Sequence, residues 1–253
     1  MGPIAWRSPP WLQRLCASAL IGGQAIATIM RGRIRLDDVV EMMQEAGPES
    51  LSIVVLVGMA AGTVFNVQIA AELTERGAAS EVGGILAAGL SREVAPILSA
   101  MLITGKVATS YAAQLGTMKV TEQIDAITML RTDPVDYLVV PRLLALLVMT
   151  PVQTLAFFAV GIFSGRISCE SVFGIPPQVF WDSVYRWMWP SDVRAMLVKG
   201  MVFGLLIAVV ACGYGLTTEG GPKEVGRSTT GAVVVILVLI ALTDVALTSL
   251  LFR

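Results

Sequence analysis

The 253-residue chain has no histidine, and only 15% of its residues are charged. A soluble domain carries about 25%. Without imidazole, histidine-based metal sites and acid/base pairs are excluded. Cys16, Cys169 and Cys212 lack metal-ligand spacing; they allow one disulfide and imply none. No GxxxxGK[ST] run is present, so the chain has no P-loop with which to hydrolyse ATP, and no cofactor or metal site of its own is expected. No basic patch with interleaved aromatics is present either, which argues against nucleic acid. The formal net charge of -1 says little about partners, because in an apolar chain the distribution of charge matters more. Nothing at the start reads as a cleavable signal. No organelle-targeting peptide is visible, which favours a bacterial source or a plastid-encoded or trimmed chain.

What fills the space is hydrophobic sequence: 55% of residues, with a mean hydropathy of +0.74. Several apolar runs approach or exceed the ~20 residues that cross a bilayer. The expected fold class is an all-α integral membrane protein. It has five transmembrane helices, N-terminal interfacial and elbow helices over 1–49, and a five-span domain over 50–253 that contains a cytoplasmic coupling segment at 105–134.

Pro3, Pro9 and Pro10 prevent one helix over the first ten residues. The run from Trp11 to Met30 carries Arg14 early and Gly22-Gly23 as a break in its middle, with Trp6 and Trp11 suited to an interface. It reads as a helix lying in the cytoplasmic interface; an ordinary first span is the alternative. Leu36, Val39, Val40 and Met43 then share one face of an elbow helix, where Asp38 and Glu41 have capping-box spacing. Gly47-Pro48 ends it.

The first span, about 51–71, carries Gly58 and Gly62, a GxxxG pair that lets two backbones approach closely. The second starts near Val82. Arg92 and Glu93 fall well inside it, where a charge is costly and faces protein or water. Pro96 removes the hydrogen bond to the carbonyl of Arg92. Two readings stay open: the polar wall of a substrate cavity, or an ion pair that locks helices together. Thr104, Ala108, Ala112 and Gly116 form a smooth ridge, after which Gly116 to Lys119 is expected to turn the chain. Val120, Ile124, Ile127 and Leu130 make an apolar stripe. Asp133 can cap the next helix, with Pro134 at its first position.

The third span covers about 138–163, with Pro151 bending it. Residues 164–194 read as a loop whose tryptophans rest on the outer surface. Gly200, Gly204, Ala208 and Cys212 form a second ridge in the fourth span, about 195–216. A glycine-rich connector, TTEGGPKEVGRSTTG, precedes the last span, about 232–252. There Asp244 reads as a lone carboxylate satisfied within the bundle, or as a complement to Arg92. Eleven Lys and Arg fall in the segments placed inside, among them Arg14, Lys106, Lys119, Arg142 and Lys223. Only Arg76, Arg166, Arg186, Arg194, Lys199 and Arg253 fall opposite. The 105–134 connector is therefore cytoplasmic, or stromal in a plastid.

Across Arg92 to Arg142 the wording becomes specific: Glu93-Val94-Ala95-Pro96, Gly105-Lys106-Val107-Ala108, Ala113-Gln114-Leu115-Gly116-Thr117-Met118 and Thr121-Glu122-Gln123-Ile124-Asp125. This run resembles the MlaE/YrbE family of ABC-transporter permeases, which act with MCE-domain proteins in lipid transport. The likeness extends from the N-terminal interfacial helix to the last span. Its wording is most similar to cyanobacterial and plastid lipid-importer members.

The resemblance implies a non-enzymatic permease subunit that pairs with a second copy of itself. A cytoplasmic ABC ATPase dimer would carry ATP and Mg, and an MCE-domain oligomer would pass phospholipid at the outer side. It implies that Gly116, Thr117, Met118, Thr121, Glu122 and Gln123 lie near the ATPase. It places Arg92, Glu93 and the kinking Pro96 near a lipid cavity. Gly58, Gly62, Ala108, Ala112, Gly200 and Gly204 are the helix-packing positions. Lys106 stands where bacterial phospholipid members often carry arginine; lysine keeps the charge but loses the planar fork. The membrane implied is a bacterial inner membrane, with the chloroplast inner envelope as the alternative. A scaffold that anchors an MCE assembly without transporting is the competing function.

Overall fold

A computed structural model describes residues 10–32 and 35–251, and every regular element among them is helical. Helices α1 (Pro10–Met30) and α2 (Leu36–Ala46) precede α3 (Pro48–Glu75). A 3₁₀ turn at Ala79–Glu81 leads into α4 (Val82–Gly89), α5 (Ala95–Ile103) and α6 (Thr109–Val120). Then come α7 (Gln123–Met129), α8 (Val140–Phe173), α9 (Pro177–Trp187), α10 (Pro190–Leu216) and α11 (Pro222–Leu251).

Five helical runs are long and apolar enough to cross a membrane: Leu36–Glu75, Ala79–Val120, Val135–Phe173, Pro190–Leu216 and Pro222–Leu251. Helix α1 is not among them, in agreement with five spans rather than six. The chain is an all-α integral membrane protein.

π-helical turns occupy Leu90–Val94, Thr104–Ala108 and Val135–Val139. Two of them end two residues before a proline, at Pro96 and Pro141. A proline has no N–H for the carbonyl four residues back, and widening the turn shifts the donors by one position. At the middle turn no proline is present; the Thr109 hydroxyl donates to the Gly105 carbonyl at 2.8 Å instead.

Contacts divide the chain into two compact units. One holds residues up to Met42, Thr104–Leu146 and Leu205–Leu239; the other holds Met43–Ile103, Leu147–Gly204 and the chain from Ile240 onward. In the second unit the GxxxG pair packs as expected. A methyl group on Gly62 would overlap the backbone of Gly161, and one on Gly58 would sit 3.2 Å from the carbonyl oxygen of Phe157. The elbow at Gly47-Pro48 is held from outside its own helix. The Gln153 amide donates to the carbonyls of Ala46 and Gly47, which lie at the bend.

In the first unit the Thr104–Gly116 ridge is buried throughout. A Cβ on Gly215 would meet Leu115, and one on Gly116 would lie 3.2 Å from Val225. Ala208 and Cys212 are buried in their own ridge, as are Gly200 and Gly204 in the other unit.

Several sequence expectations need correction. Helix α1 runs unbroken through Gly22-Gly23, because Gly22 seats against Val209 rather than ending the helix. Asp38 lies inside α2 and pairs with Arg35 at 3.1 Å, so no capping box forms with Glu41. Gly116 to Lys119 do not turn the chain: α6 continues to Val120, and the reversal comes at Glu122, whose φ is 61°. Of the stripe that follows, Ile124 is buried, but Leu130 is 78% exposed. Residues 164–194 are mostly helix, shared among the end of α8, α9 and the start of α10. The connector TTEGGPKEVGRSTTG is irregular only to Gly221; from Pro222 it is the first turns of α11. Lys199 and Arg142 are not loop cations at all but buried side chains. Pro151 is taken into α8 without ending it, and the Gly200 backbone seats on its ring. Pro3, Trp6, Arg7, Pro9, Arg33 and Arg253 lie outside the described residues.

Candidate functional site

Arg92 and Glu93 sit on the π turn, where the proline two residues beyond the end of the turn has already disturbed the helix. They open onto a groove of about 410 Å³, walled by Ile85, Ala88 and Gly89 on one run and by Trp187 and Thr248 on others. The walls are mainly apolar, with the two charged residues and one hydroxyl as the polar exceptions. Pro96 is buried and is not among the wall residues. Nothing would obstruct a Cβ on Gly89, which faces open space. Trp187 is held by its indole N–H, which donates to the Glu81 carboxylate at 2.7 Å. Arg186, one residue earlier, pairs with the same carboxylate at 3.2 Å.

Beneath the groove lies an ion network that the sequence did not assemble. The Lys199 ammonium, wholly buried, lies 3.0 Å from Glu93 and 2.8 Å from Asp244. It also donates to the Thr248 hydroxyl at 2.8 Å and to the Arg92 carbonyl at 2.7 Å. Thr248 in turn donates to the second Glu93 oxygen at 2.9 Å. Asp244 is thus neither a lone carboxylate nor the partner of Arg92. Arg92 Nε lies 3.0 Å from Asp192, whose other oxygen accepts the Trp189 N–H at the start of α10. That last bond is the reach-back half of a capping box. Arg92 and Glu93 therefore line the groove and also tie the π turn to α10 and α11.

The 105–134 connector belongs to the other unit. Thr117, Thr121, Glu122 and Gln123 are exposed, Met118 is half-buried, and Gly116 is buried against Val225 and Thr218. Lys119 bridges the reversal to Asp125 at 3.0 Å. Asp133 caps its helix as expected, accepting the Val135 N–H at 2.9 Å. Its second oxygen accepts from Gln24 at 2.7 Å, and Asp136 accepts from Thr28 at 2.6 Å. Helix α1 is thereby fastened to the end of the segment. Arg142 fastens the other side: it donates to the Leu138 carbonyl at 2.7 Å and to Gln114 at 2.9 Å, and lies over the Tyr111 ring at 5.2 Å.

Comparison with known proteins bears on what this arrangement serves. A sequence model of the family described as Permease MlaE matches residues 39–250. The chain belongs to the MlaE permease family. A probable ABC transporter permease protein of Synechocystis is 44% identical over 96% of this chain and 92% of its own length. The chloroplastic protein trigalactosyldiacylglycerol 1 of Arabidopsis thaliana is 36% identical over 98% of this chain and 71% of its own length. A probable ABC transporter permease protein of Rickettsia felis is 31% identical over 99% of this chain and 96% of its own length.

In this MlaE-family permease the groove and the connector are two of the places where polar side chains gather among the described residues. Sequence reasoning missed Lys199, Asp192 and Arg142. Lys199 counted as a loop charge because it is near the start of its span. Its position directly before Gly200, on a ridge of small buried residues, is the signal that could have found it. Arg142 closes the run that resembles the family, directly after Pro141, and that placement is its only signal.

Proposed function

We propose that this chain is the membrane-spanning subunit of an ATP-driven lipid transporter, with a diacyl phospholipid as its cargo. It works as a homodimer with a separate cytoplasmic ATPase dimer, which holds ATP and Mg, and with an MCE-domain oligomer on the outer side. The host is a bacterial inner membrane. The observation that carries this reading is the Arg92–Glu93 groove, an apolar recess with a few polar contacts in a chain built to span a bilayer. Its volume is at the small end for organic ligands, which suits a head group; acyl chains would lie along the apolar faces of the spans. The name of the Arabidopsis relative, which contains that of a glycolipid, supports lipid as the cargo class.

In this mechanism, nucleotide-driven closure of the ATPase pushes on the exposed Thr117–Gln123 face. The buried small-residue ridges let neighbouring helices slide without opening voids. The bonds from Asp133 and Asp136 to α1 make the N-terminal helix move with the connector. Lipid then enters and leaves as the groove changes shape.

The test is co-purification of the intact chain in mild detergent, followed by reconstituted transport with Glu122→Lys. A homodimer with ATPase, MCE oligomer and retained lipid is expected. Because Glu122 is exposed, the variant should melt as the parent does yet lose ATP-dependent lipid movement. A chain that carries no ATPase even after crosslinking in the membrane sinks the mechanism. Unimpaired transport by the variant removes Glu122 from the coupling face. An intact MCE assembly that moves no lipid would instead mark a scaffold.

A further inference from the structure

The groove carries no net positive charge, and this bears on which lipid it accepts. Arg92, Arg186 and Lys199 stand on or beside it, matched by Glu81, Glu93, Asp192 and Asp244. Among these described residues carboxylates are in excess by one. If one of them holds a proton, the balance is zero. In neither state does an incoming anion meet an unbalanced cation among these described residues. The Asp192 side chain, which offsets Arg92, is only 3% exposed, and Asp244, which shares Lys199 with Glu93, is 9% exposed. Neither carboxylate can swing into water and leave its cation to a ligand without breaking contacts around it. By contrast Glu93 is 38% exposed and Arg92 41%, so both reach the groove. A carboxylate and a guanidinium stand side by side there.

We propose, resting on the lipid-transporter reading, that this groove selects a head group with no net charge that donates hydrogen bonds. Among phospholipids the class is the zwitterionic aminophospholipids. The ammonium meets Glu93 and the phosphodiester lies toward Arg92. A phosphomonoester lipid brings up to two negative charges and no compensating donor. It meets the carboxylate excess at short range, where one unit-charge interaction exceeds thermal energy several-fold at a protein surface. Arg92 therefore orients a phosphodiester rather than recruiting an anion.

The experiment is native mass spectrometry of the full chain with acyl-matched phosphatidylethanolamine, phosphatidylglycerol and phosphatidic acid in equal amounts. Phosphatidylethanolamine should be retained over phosphatidic acid by about tenfold, a ratio that a single charge contact can supply. Glu93→Gln keeps the shape and removes the charge, and should shrink that ratio. Asp192→Asn releases Arg92 from its counter-ion and should raise retention of the two anionic lipids. Either variant serves if the other fails to fold. Equal or greater retention of phosphatidic acid by the parent overturns the proposal, as does a ratio unmoved in a folded variant. Retention of no diacyl lipid at all overturns the lipid-transporter reading itself.

Discussion

Lys199 donates to the carbonyl oxygen of Arg92 at 2.7 Å, and this is the oxygen whose α-helical donor would be the N–H that Pro96 lacks. The proline and the lysine are about a hundred positions apart in sequence, yet the cation serves the acceptor that the proline leaves. The same ammonium is shared between the carboxylates of Glu93, at 3.0 Å, and Asp244, at 2.8 Å. A kink and a charge cluster are thus one structure, since each supplies what the other needs.

Replacing Lys199 with methionine leaves the buried Asp244 and the part-exposed Glu93 without their cation. Breaking a buried pair in this way costs ~3–5 kcal/mol. A large drop in melting temperature is expected, followed in detergent by fluorescence-detected size exclusion. Adding Glu93→Gln and Asp244→Asn to the same chain should recover most of the loss, because neutral amides need no counter-ion. A triple variant no more stable than Lys199→Met alone would show that the lysine acts through packing.

Gly62 and Gly58 separate tight from ordinary packing. Gly62→Ala forces a methyl group into the Gly161 backbone, which cannot move aside as a side-chain tip can. Overpacking of this kind costs ~1–3 kcal/mol. Gly58→Ala, with its nearest atom at 3.2 Å, should cost less. Gly23→Ala, with nothing nearby, should be neutral or gain up to about 1 kcal/mol of helix propensity. The order of the three melting temperatures checks this; Gly58→Ala falling below Gly62→Ala contradicts it.

Gln153→Leu keeps the bulk of the side chain and removes the amide that serves Ala46 and Gly47. The Gly47 carbonyl keeps the Ser50 N–H at 3.0 Å, but the Ala46 carbonyl loses its donor, and a buried acceptor left unserved costs ~1–3 kcal/mol. The expected result is a lower melting temperature together with faster hydrogen exchange of amides around the Gly47-Pro48 elbow. Unchanged exchange there would mean that the elbow holds itself.

Gly89→Leu projects into the groove and touches nothing in the core. Retained lipid should fall while the melting temperature stays level, both read on one detergent preparation. If lipid retention is unchanged, the lipid lies elsewhere.

The five spans, the proline-flanked charges and the capping of Asp133 could be read from the sequence, because each depends on local composition and spacing. About twenty apolar residues select a helix in lipid whatever surrounds them, and a proline inside a helix disturbs the turn before it wherever it occurs. The family resemblance also tracks local structure: the Glu93–Pro96 and Gly105–Ala108 pieces fall on or beside π turns.

The partners were not readable. Whether Asp244 answers Arg92 or Lys199 depends on how α10 and α11 rotate about their axes against the π turn, and no spacing within one helix records that. For the same reason Lys199 and Arg142 passed as surface cations. A long cationic side chain near a span end either reaches water or turns inward, and only the presence of a facing carboxylate, carbonyl or amide decides between them. The glycine-rich stretch from Gly220 was misread because glycine lowers helix propensity in isolation, whereas Pro222 at a helix start and packing along α11 outweigh it here. Sequence alone determined that the chain is helical and membrane-spanning and that its second span is disturbed before Pro96. The tertiary structure decided which buried charges meet, because compensation of a desolvated charge is a matter of distance across helices rather than position along them.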